Sequence, residues 1–392
     1  MKRRKSILYS VLKETASIPE REQTEALLFA QGKTGYCWLV SALFFLSERT
    51  EKEKQGFSLE YLMFYDKLEK ANHFLTLFMD HLEEPLDSPD NRYLLSNPVS
   101  DRGQWGMAVS LIRKYGLVPF RENGSFTVPA PTGELNTCLN YMLRCFAKKI
   151  RESFENGSSL QELGEIKEEA MHRVRNLLED YYGFPIERIE QPNGRSITPQ
   201  EYFELNFGDN FDDYISIISN VRIKSGQYVI DLDGNVAGSV PNKFLNLPEE
   251  TFCQAIDEQI DGEGCCWFTA DAGKFYVRGY DLFDDSIFDL AQICGDVGCE
   301  TLNRSDVWNY HLGGLAHTMV FLKTPTADEE YYKAFNSSVS VEKGGICKVS
   351  PSWFQKFVLQ AVVNKKYIPE IYQKDAVKSK VVKPWEFFPV SP

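Results

Sequence analysis

Residues 37–46 read CWLVSALFFL and are apolar at nearly every position. A helix covered on all sides has this pattern, whereas a surface helix keeps a polar face. The stretch 58–83 places Tyr61, Phe64, Tyr65, Leu68, Phe74 and Phe78 at steps that suit one face of a long helix, with Ser58 as its N-cap. A further helix is predicted over 104–115, stopped by Gly116 and by Pro119 beyond it. From 133 to 183, Leu135, Leu139, Met142, Phe146, Ile150 and Phe154 recur at steps of three and four. After Asn156-Gly157 a second set follows: Leu163, Ile166, Ala170, Val174, Leu177 and Tyr181. Two amphipathic helices with a short polar turn predict an αα-hairpin, closed by Gly183 and Pro185.

The pattern then changes. Residues 185–265 are mixed, with a hairpin candidate at 228–238 around Asp233-Gly234. HTMVFL (317–322), YYKAF (331–335) and GICKV (345–349) are short runs of β-branched and aromatic residues, which predict strands. Ser350-Pro351 opens a helix, with Trp353, Phe354, Phe357, Val358 and Ala361 as its apolar face. Residues 1–30 read as a polar, partly helical arm. Residues 364–392 read as an extended arm, with prolines at 369, 384, 389 and 392.

Composition narrows the function classes. The chain has 392 residues, 43% hydrophobic and 13% aromatic, enough for a substantial core. A net charge of −13 argues against a phosphate-binding surface, and so against nucleic acid as partner. No run reaches the ~18 apolar residues of a membrane span. After MKRRK, Lys13 and Glu14 interrupt the apolar residues before a signal-peptide core can form. Nine cysteines without a regular framework do not make a disulfide scaffold. The expectation is a cytoplasmic protein with no membrane partner.

One cysteine stands apart. Cys37 begins the apolar helix, at the positive end of the helix dipole, where a thiolate is favoured. Gln31, six residues earlier, can offer a side-chain amide to an oxyanion, with the Cys37 N–H as second donor. The alternative is that Cys37 is one more buried small hydrophobe. A nucleophilic thiol needs a base, and the chain has five histidines. His73 and His81 lie in the long helix, His172 in the acidic hairpin, and His311 before a Gly-Gly turn. His317 opens a predicted strand. Asn336 closes the next one, and a neutral amide there can orient an imidazole without cancelling an imidazolium–thiolate pair. Cys265-Cys266 and Cys294…Cys299 lack the spacing and histidines of a zinc site and read as buried thiols. No metal or organic cofactor is expected.

GYCWLVSAL after an upstream glutamine, AHTMV, and an asparagine ending the next strand are similar to the papain-like cysteine peptidases. More specifically, the chain resembles the bleomycin hydrolase and bacterial aminopeptidase C family. The matching segments are YDKLEKANHFL (65–75), RGQWGMAVSLIRKYGLVP (102–119), SITPQEYFE (196–204), GNVAGSVPNKFLNLP (234–248), CCWFTADAGK (265–274) and SPSWFQKFVLQAVVNKKYIPE (350–370). The resemblance implies an α+β papain-like fold with a helical insertion. It places Gln31 in the oxyanion hole, Cys37 as nucleophile, His317 as base and Asn336 as orienter. It also implies peptide substrates, a homohexameric ring, and a chain end in the cleft, where the Pro392 carboxylate meets the substrate's amino group. The expected division is 1–120 for the arm and helical subdomain, 121–250 for the insertion, 251–363 for the β subdomain and 364–392 for the arm. The implied activity is a cysteine aminopeptidase. An endopeptidase or acyl-transferring enzyme with the same site, or a ring scaffold with an impaired site, are the alternatives. Two positions depart from the family pattern. Ser338 stands where a tryptophan usually shields the Asn–His hydrogen bond, so a more exposed bond is expected. Tyr36 stands before the cysteine, where arginine or a small residue is usual.

Overall fold

The computed structural model describes residues 11–13, 29–49, 56–120, 128–239, 241–323, 330–338, 345–375 and 379–388. The chain forms two compact units. One comprises 28–211 with 230–242, the other 1–27, 212–229 and 243–392.

The first unit is helical. The apolar run becomes the helix Cys37–Glu48, and every residue from Trp38 to Ser47 is buried, as a helix without a polar face requires. Ser58 caps the helix Leu59–Asp80, its hydroxyl accepting the Tyr61 N–H at 3.3 Å. The predicted αα-hairpin is the pair Gly133–Glu155 and Leu160–Tyr182. A capping box of Ser159 and Glu162 starts its second helix. Leu139, Leu143 and Ile150 from one arm and Leu163, Val174 and Leu178 from the other close over Phe64, Phe74 and Phe78 in one apolar cluster. Burying each such side chain contributes on the order of 1.5–3 kcal/mol. The hairpin and the long helix therefore hold each other in place. Tyr181 departs from the predicted stripe: it is exposed, and its hydroxyl donates to the Pro131 carbonyl at 2.9 Å.

The second unit is built on a sheet. Among the described residues eleven strands lie side by side in the order Lys380–Val382, Gly226–Ile230, Lys243–Asn246, Tyr214–Ile218, Val358–Asn364, Cys265–Ala270, His317–Leu322, Tyr332–Phe335, Ile346–Val349, Leu282–Phe283 and Tyr276–Val277. Most neighbours are antiparallel. Cys265–Ala270 is buried at every position, which marks the middle of the sheet. The helix Glu249–Glu263 packs against it. Segregated helices and a mainly antiparallel sheet make the class α+β. Among the described residues no helix is long and apolar enough to cross a membrane.

Three expectations are corrected. Asp233-Gly234 is not a hairpin turn: Gly226–Ile230 pairs with Lys243–Asn246, so the connection is far longer. Its polar residues serve as anchors instead. Asn235 is buried and donates to Asp66 Oδ1 at 3.0 Å and to the Met107 carbonyl at 3.2 Å. The helix opened by Ser350 ends at Phe357, and the apolar residues after it form the strand Val358–Asn364. That strand pairs on both sides, and a run of β-branched residues suits such a place. Finally, the described part of 364–388 is not simply extended. Lys380–Val382 joins the sheet edge, and Phe387 is buried against Tyr228 and Phe244 with ring centroids 5.7 and 5.2 Å away.

Gly116 ends the helix Trp105–Tyr115 with φ 72° and ψ −159°, a conformation essentially restricted to glycine. A Cβ there would lie 2.1 Å from the Pro199 carbonyl carbon. Gly116→Ala should therefore destabilise the protein by at least about 1–3 kcal/mol. Urea melts read this directly, and an unchanged midpoint would refute it.

Candidate active site

The sequence-predicted site residues fall into two groups, one in each unit. Gln31 and Cys37 belong to the helical unit. The loop between them is tied internally: Gln31 Nε2 donates to the Thr34 carbonyl at 2.8 Å, and Thr34 Oγ1 donates back to the Gln31 carbonyl at 2.7 Å. Gly32 takes φ 60° to make the turn. Cys37 is the first residue of its helix and is partly exposed, while Tyr36 and Trp38 on either side are fully buried. At that place the helix dipole favours a negative sulfur.

Four charged residues that were not singled out for the site from sequence gather on this loop. Asp101 Oδ2 accepts the Gly35 N–H at 2.8 Å, and the Asp101 carbonyl accepts the Trp38 indole N–H at 2.6 Å. Lys67 Nζ bonds Asp101 Oδ1 at 2.6 Å, joined there by Asn136 Nδ2 at 2.8 Å, while Thr132 Oγ1 donates to Oδ2 at 2.5 Å. Lys70 Nζ meets Asp66 Oδ2 at 2.8 Å and the carbonyls of Ser100 and Arg102 at 2.9 and 2.6 Å. The Tyr36 hydroxyl donates to Asp66 Oδ2 at 2.8 Å. Burial pushes Lys67 down to about 8, against the pull of Asp101, so it stays mainly charged at neutral pH. Burial works to raise the Asp101 carboxyl, but the charge and bonds of Lys67, with bonds from Thr132 and Asn136, hold it well below the usual range. Burial and Asp66 push the Tyr36 hydroxyl far up, which keeps it a donor. The readable signal was Asp66-Lys67-Leu68-Glu69-Lys70, a dense charge run inside a helix whose apolar residues pack into the core.

His317 and Asn336 belong to the sheet unit. His317 begins its strand opposite Ala270, and Asn336 follows the neighbouring strand, in which Phe335 pairs with Val320. That register brings the two side chains together, His317 Nε2 to Asn336 Oδ1 at 2.9 Å. The same oxygen receives the Ser338 N–H at 3.0 Å and the Ser338 hydroxyl at 2.7 Å. A backbone N–H can only donate, so the atom facing it is the amide oxygen. An amide oxygen can only accept, so His317 must donate from Nε2. Nδ1 is then the nitrogen that gains or loses the second proton. Asn336 is 2% exposed without a tryptophan at 338, while its bond to the half-buried His317 is partly buried. Strand pairing buries its backbone, and Ser338 supplies two donors instead of an apolar cover.

Pro392 lies outside the described residues. His73, His81, His172 and His311 take no part in the His317–Asn336 bond. His81 donates Nδ1–H to the Leu77 carbonyl at 2.7 Å and lies 3.4 Å from Asp90. With Glu84 they form the one group of metal-ligand type among the described residues, which a His–carboxylate pair at a helix end accounts for. Cys265 and Cys266 are buried as expected, but Cys294 is exposed.

The model of the peptidase C1-like family matches residues 10–388. Aminopeptidase C of Lactobacillus delbrueckii subsp. lactis is 29% identical over 364 residues, which cover 88% of this chain and 80% of that one. Bleomycin hydrolase of Gallus gallus is 26% identical over 366 residues, 87% of this chain and 80% of that one. The crystal structure of PepW from Lactobacillus rhamnosis superposes with a TM-score of 0.83 at 27% identity, covering 97% of this chain and 91% of that one.

The His317 bond makes a spectroscopic prediction. In ¹⁵N-detected NMR, neutral His317 should carry its proton on Nε2, and Asn336→Ala should mix the tautomers. A protonated Nδ1 in the neutral wild-type ring would contradict the assignment.

Proposed function

Because the chain belongs to the peptidase C1-like family of cysteine peptidases and has their papain-like α+β fold, we propose that it hydrolyses N-terminal residues from peptides through Cys37, His317 and Asn336. The observation that carries this reading is the His317 Nε2–H bond to the Asn336 oxygen, which leaves Nδ1 to exchange protons with a thiol. In this reading the Cys37 thiolate attacks the carbonyl carbon of the first peptide bond. The oxyanion is received by the Gln31 side-chain amide and the Cys37 N–H. His317 gives its Nδ1 proton to the leaving amine, and the acyl group remains on sulfur as a thioester. Water then attacks with His317 as base, releasing the acid and restoring the thiol. Asn336 holds the ring throughout without adding a charge.

The restriction to N-termini rests on the likeness to aminopeptidase C. Our reading is that the Pro392 carboxylate meets the substrate's ammonium group. A charge-assisted contact of about 1.5–3 kcal/mol favours free over blocked N-termini by about 10- to 150-fold. The domain division given from sequence, a cytoplasmic location and a hexameric ring belong to the same proposal. Nine cysteines present as free thiols suit a reducing compartment. Sedimentation of the purified protein tests the ring.

The deciding experiment is a panel of free and N-blocked aminoacyl fluorogenic amides, with and without iodoacetamide. We expect free-amine substrates to be cleaved, and cleavage to stop when Cys37 alone is alkylated. Cys138, Cys145 and Cys294 are exposed and will also label, without effect. Activity that survives full Cys37 modification would overturn the proposal. Deleting Val390 to Pro392 should open the enzyme to N-blocked substrates, and unchanged selectivity would remove the carboxylate from the reading.

His317→Ala should leave almost no turnover, because it removes the proton carrier. Asn336→Ala removes one hydrogen bond to a charged ring, worth about 1.5–3 kcal/mol, and should cost about 10- to 150-fold. Equal losses in the two variants, measured as kcat at neutral pH, would contradict the separate roles.

A further inference from the structure

The loop 31–36 must do two things at once if Gln31 and Cys37 together receive an oxyanion. It must aim the Gln31 amide and place the Cys37 N–H, and an error of about 1 Å between reacting groups can cost 100-fold. Within the loop, Gln31 and Thr34 bond each other, and the Tyr36 N–H donates to Thr34 Oγ1 at 3.4 Å. The next residue, Gly35, is held from outside, by the Asp101 carboxylate. A Cβ on Gly35 would lie 2.7 Å from Asp101 Cβ, so the approach leaves no slack. On the far side of Cys37, the Trp38 indole is fixed by the Asp101 carbonyl and rests on Gly103, where a Cβ would come within 2.4 Å of the ring. One residue thus grips the chain both before and after Cys37.

Asp101 is itself gripped. Its two oxygens receive four donors: Gly35 N–H and Thr132 Oγ1–H on one, Lys67 and Asn136 on the other. Thr132 occupies the N-cap position of the helix Gly133–Glu155 yet makes no capping bond with its side chain. Lys67 has no exposed side-chain surface. Its ammonium is committed to this carboxylate.

We propose that Asp101, held by Lys67, is a positioning residue that fixes the Gln31–Cys37 turn for oxyanion stabilisation. This rests on the reading of Cys37 as nucleophile and Gln31 as oxyanion donor. It assigns Asp101 a role that is geometric and confined to acyl transfer.

Asp101→Asn tests it with almost no change of shape. The amide keeps one oxygen, so its nitrogen must face either Gly35 N–H and Thr132 or Lys67 and Asn136, and donors then meet donors. Two rates are compared at pH 7: acylation by an aminoacyl ester, and alkylation of Cys37 by iodoacetamide. Alkylation displaces iodide at a saturated carbon and forms no oxyanion. We expect acylation to slow by about 10- to 100-fold with KM changed by less than about threefold, and alkylation to stay within about twofold of wild type. Unchanged acylation, or an equal fall in both rates, would overturn the proposal. Should Asp101→Asn not fold, Thr132→Val removes one donor from the same oxygen and decides by the same comparison. The same split at smaller size supports the proposal, and unchanged acylation overturns it. Wild-type enzyme that hydrolyses substrate after complete Cys37 alkylation would overturn the underlying nucleophile assignment, a result the variants cannot mimic.

Discussion

A carboxylate taken out of water must be met by donors, and Asp101 is where the helical unit satisfies that demand. Desolvating an ion costs several kcal/mol, and this is offset only by good geometry and further hydrogen bonds. The donors come from separated parts of the chain: Gly35 just before Cys37, Lys67 from the long helix, Thr132 and Asn136 from the start of the hairpin. None of them is near Asp101 in sequence, so the arrangement exists only when the helices are packed. The apolar cluster of Phe64, Phe74, Leu139 and Val174 therefore sets the position of Lys67, and Lys67 sets the position of Asp101. Hydrophobic packing gives the unit its shape without direction. The ion pair converts that shape into a defined backbone position at Gly35.

A buried pair of this kind is poor evidence for stability, since apolar residues of similar volume often do as well. Its better attested use is to specify one arrangement among several. Asp66 and Lys70 repeat the device one step away, where Asp66 collects the Tyr36 hydroxyl, Lys70 and Asn235. Tyr36, the departure from the family pattern before the cysteine, is thus absorbed by a carboxylate that also holds Lys70 and Asn235.

Much of this was legible in the sequence, for physical reasons that differ by element. The Cys37 helix and the αα-hairpin follow from period and burial, which local sequence carries. Ser58, Gly116 and Ser350 cap their helices through atoms within four residues of themselves, so their places were readable too. The errors lie where tertiary pairing overrides local signals. Asp233-Gly234 has the composition of a tight turn, but Asn235 is claimed by Asp66 far away in sequence. Val358–Asn364 continues a helical stripe on paper and becomes a strand because two neighbours offer it hydrogen bonds. The candidate site residues were found through motifs. Lys67 was not, because a charge run inside a helix looks like a solvated face until the fold shows what covers it, and Asp101 was not, because it lies in a loop whose partners are all distant in sequence. The place of Ser338 was read only as a lost tryptophan, while its N–H and hydroxyl both donate to Asn336 Oδ1.

The two units solve one problem with different charges. Each must present a flexible polar group in a single orientation, and each does so by saturating one oxygen acceptor with donors of fixed position. In the sheet unit the acceptor is neutral, Asn336 Oδ1 with three donors. A carboxylate there would attract the imidazolium and compete with a thiolate for it. In the helical unit the acceptor is charged, but Asp66 and Asp101 stand against Lys67 and Lys70, and the cluster sums to zero. Neither device adds net charge of its own. Within the helical unit, the amides at the start of its helix favour a thiolate at Cys37. On this argument the neutrality of Asn336 and the pairing of Asp101 are one requirement met twice: orientation must be fixed without altering the electrostatics of the groups being oriented.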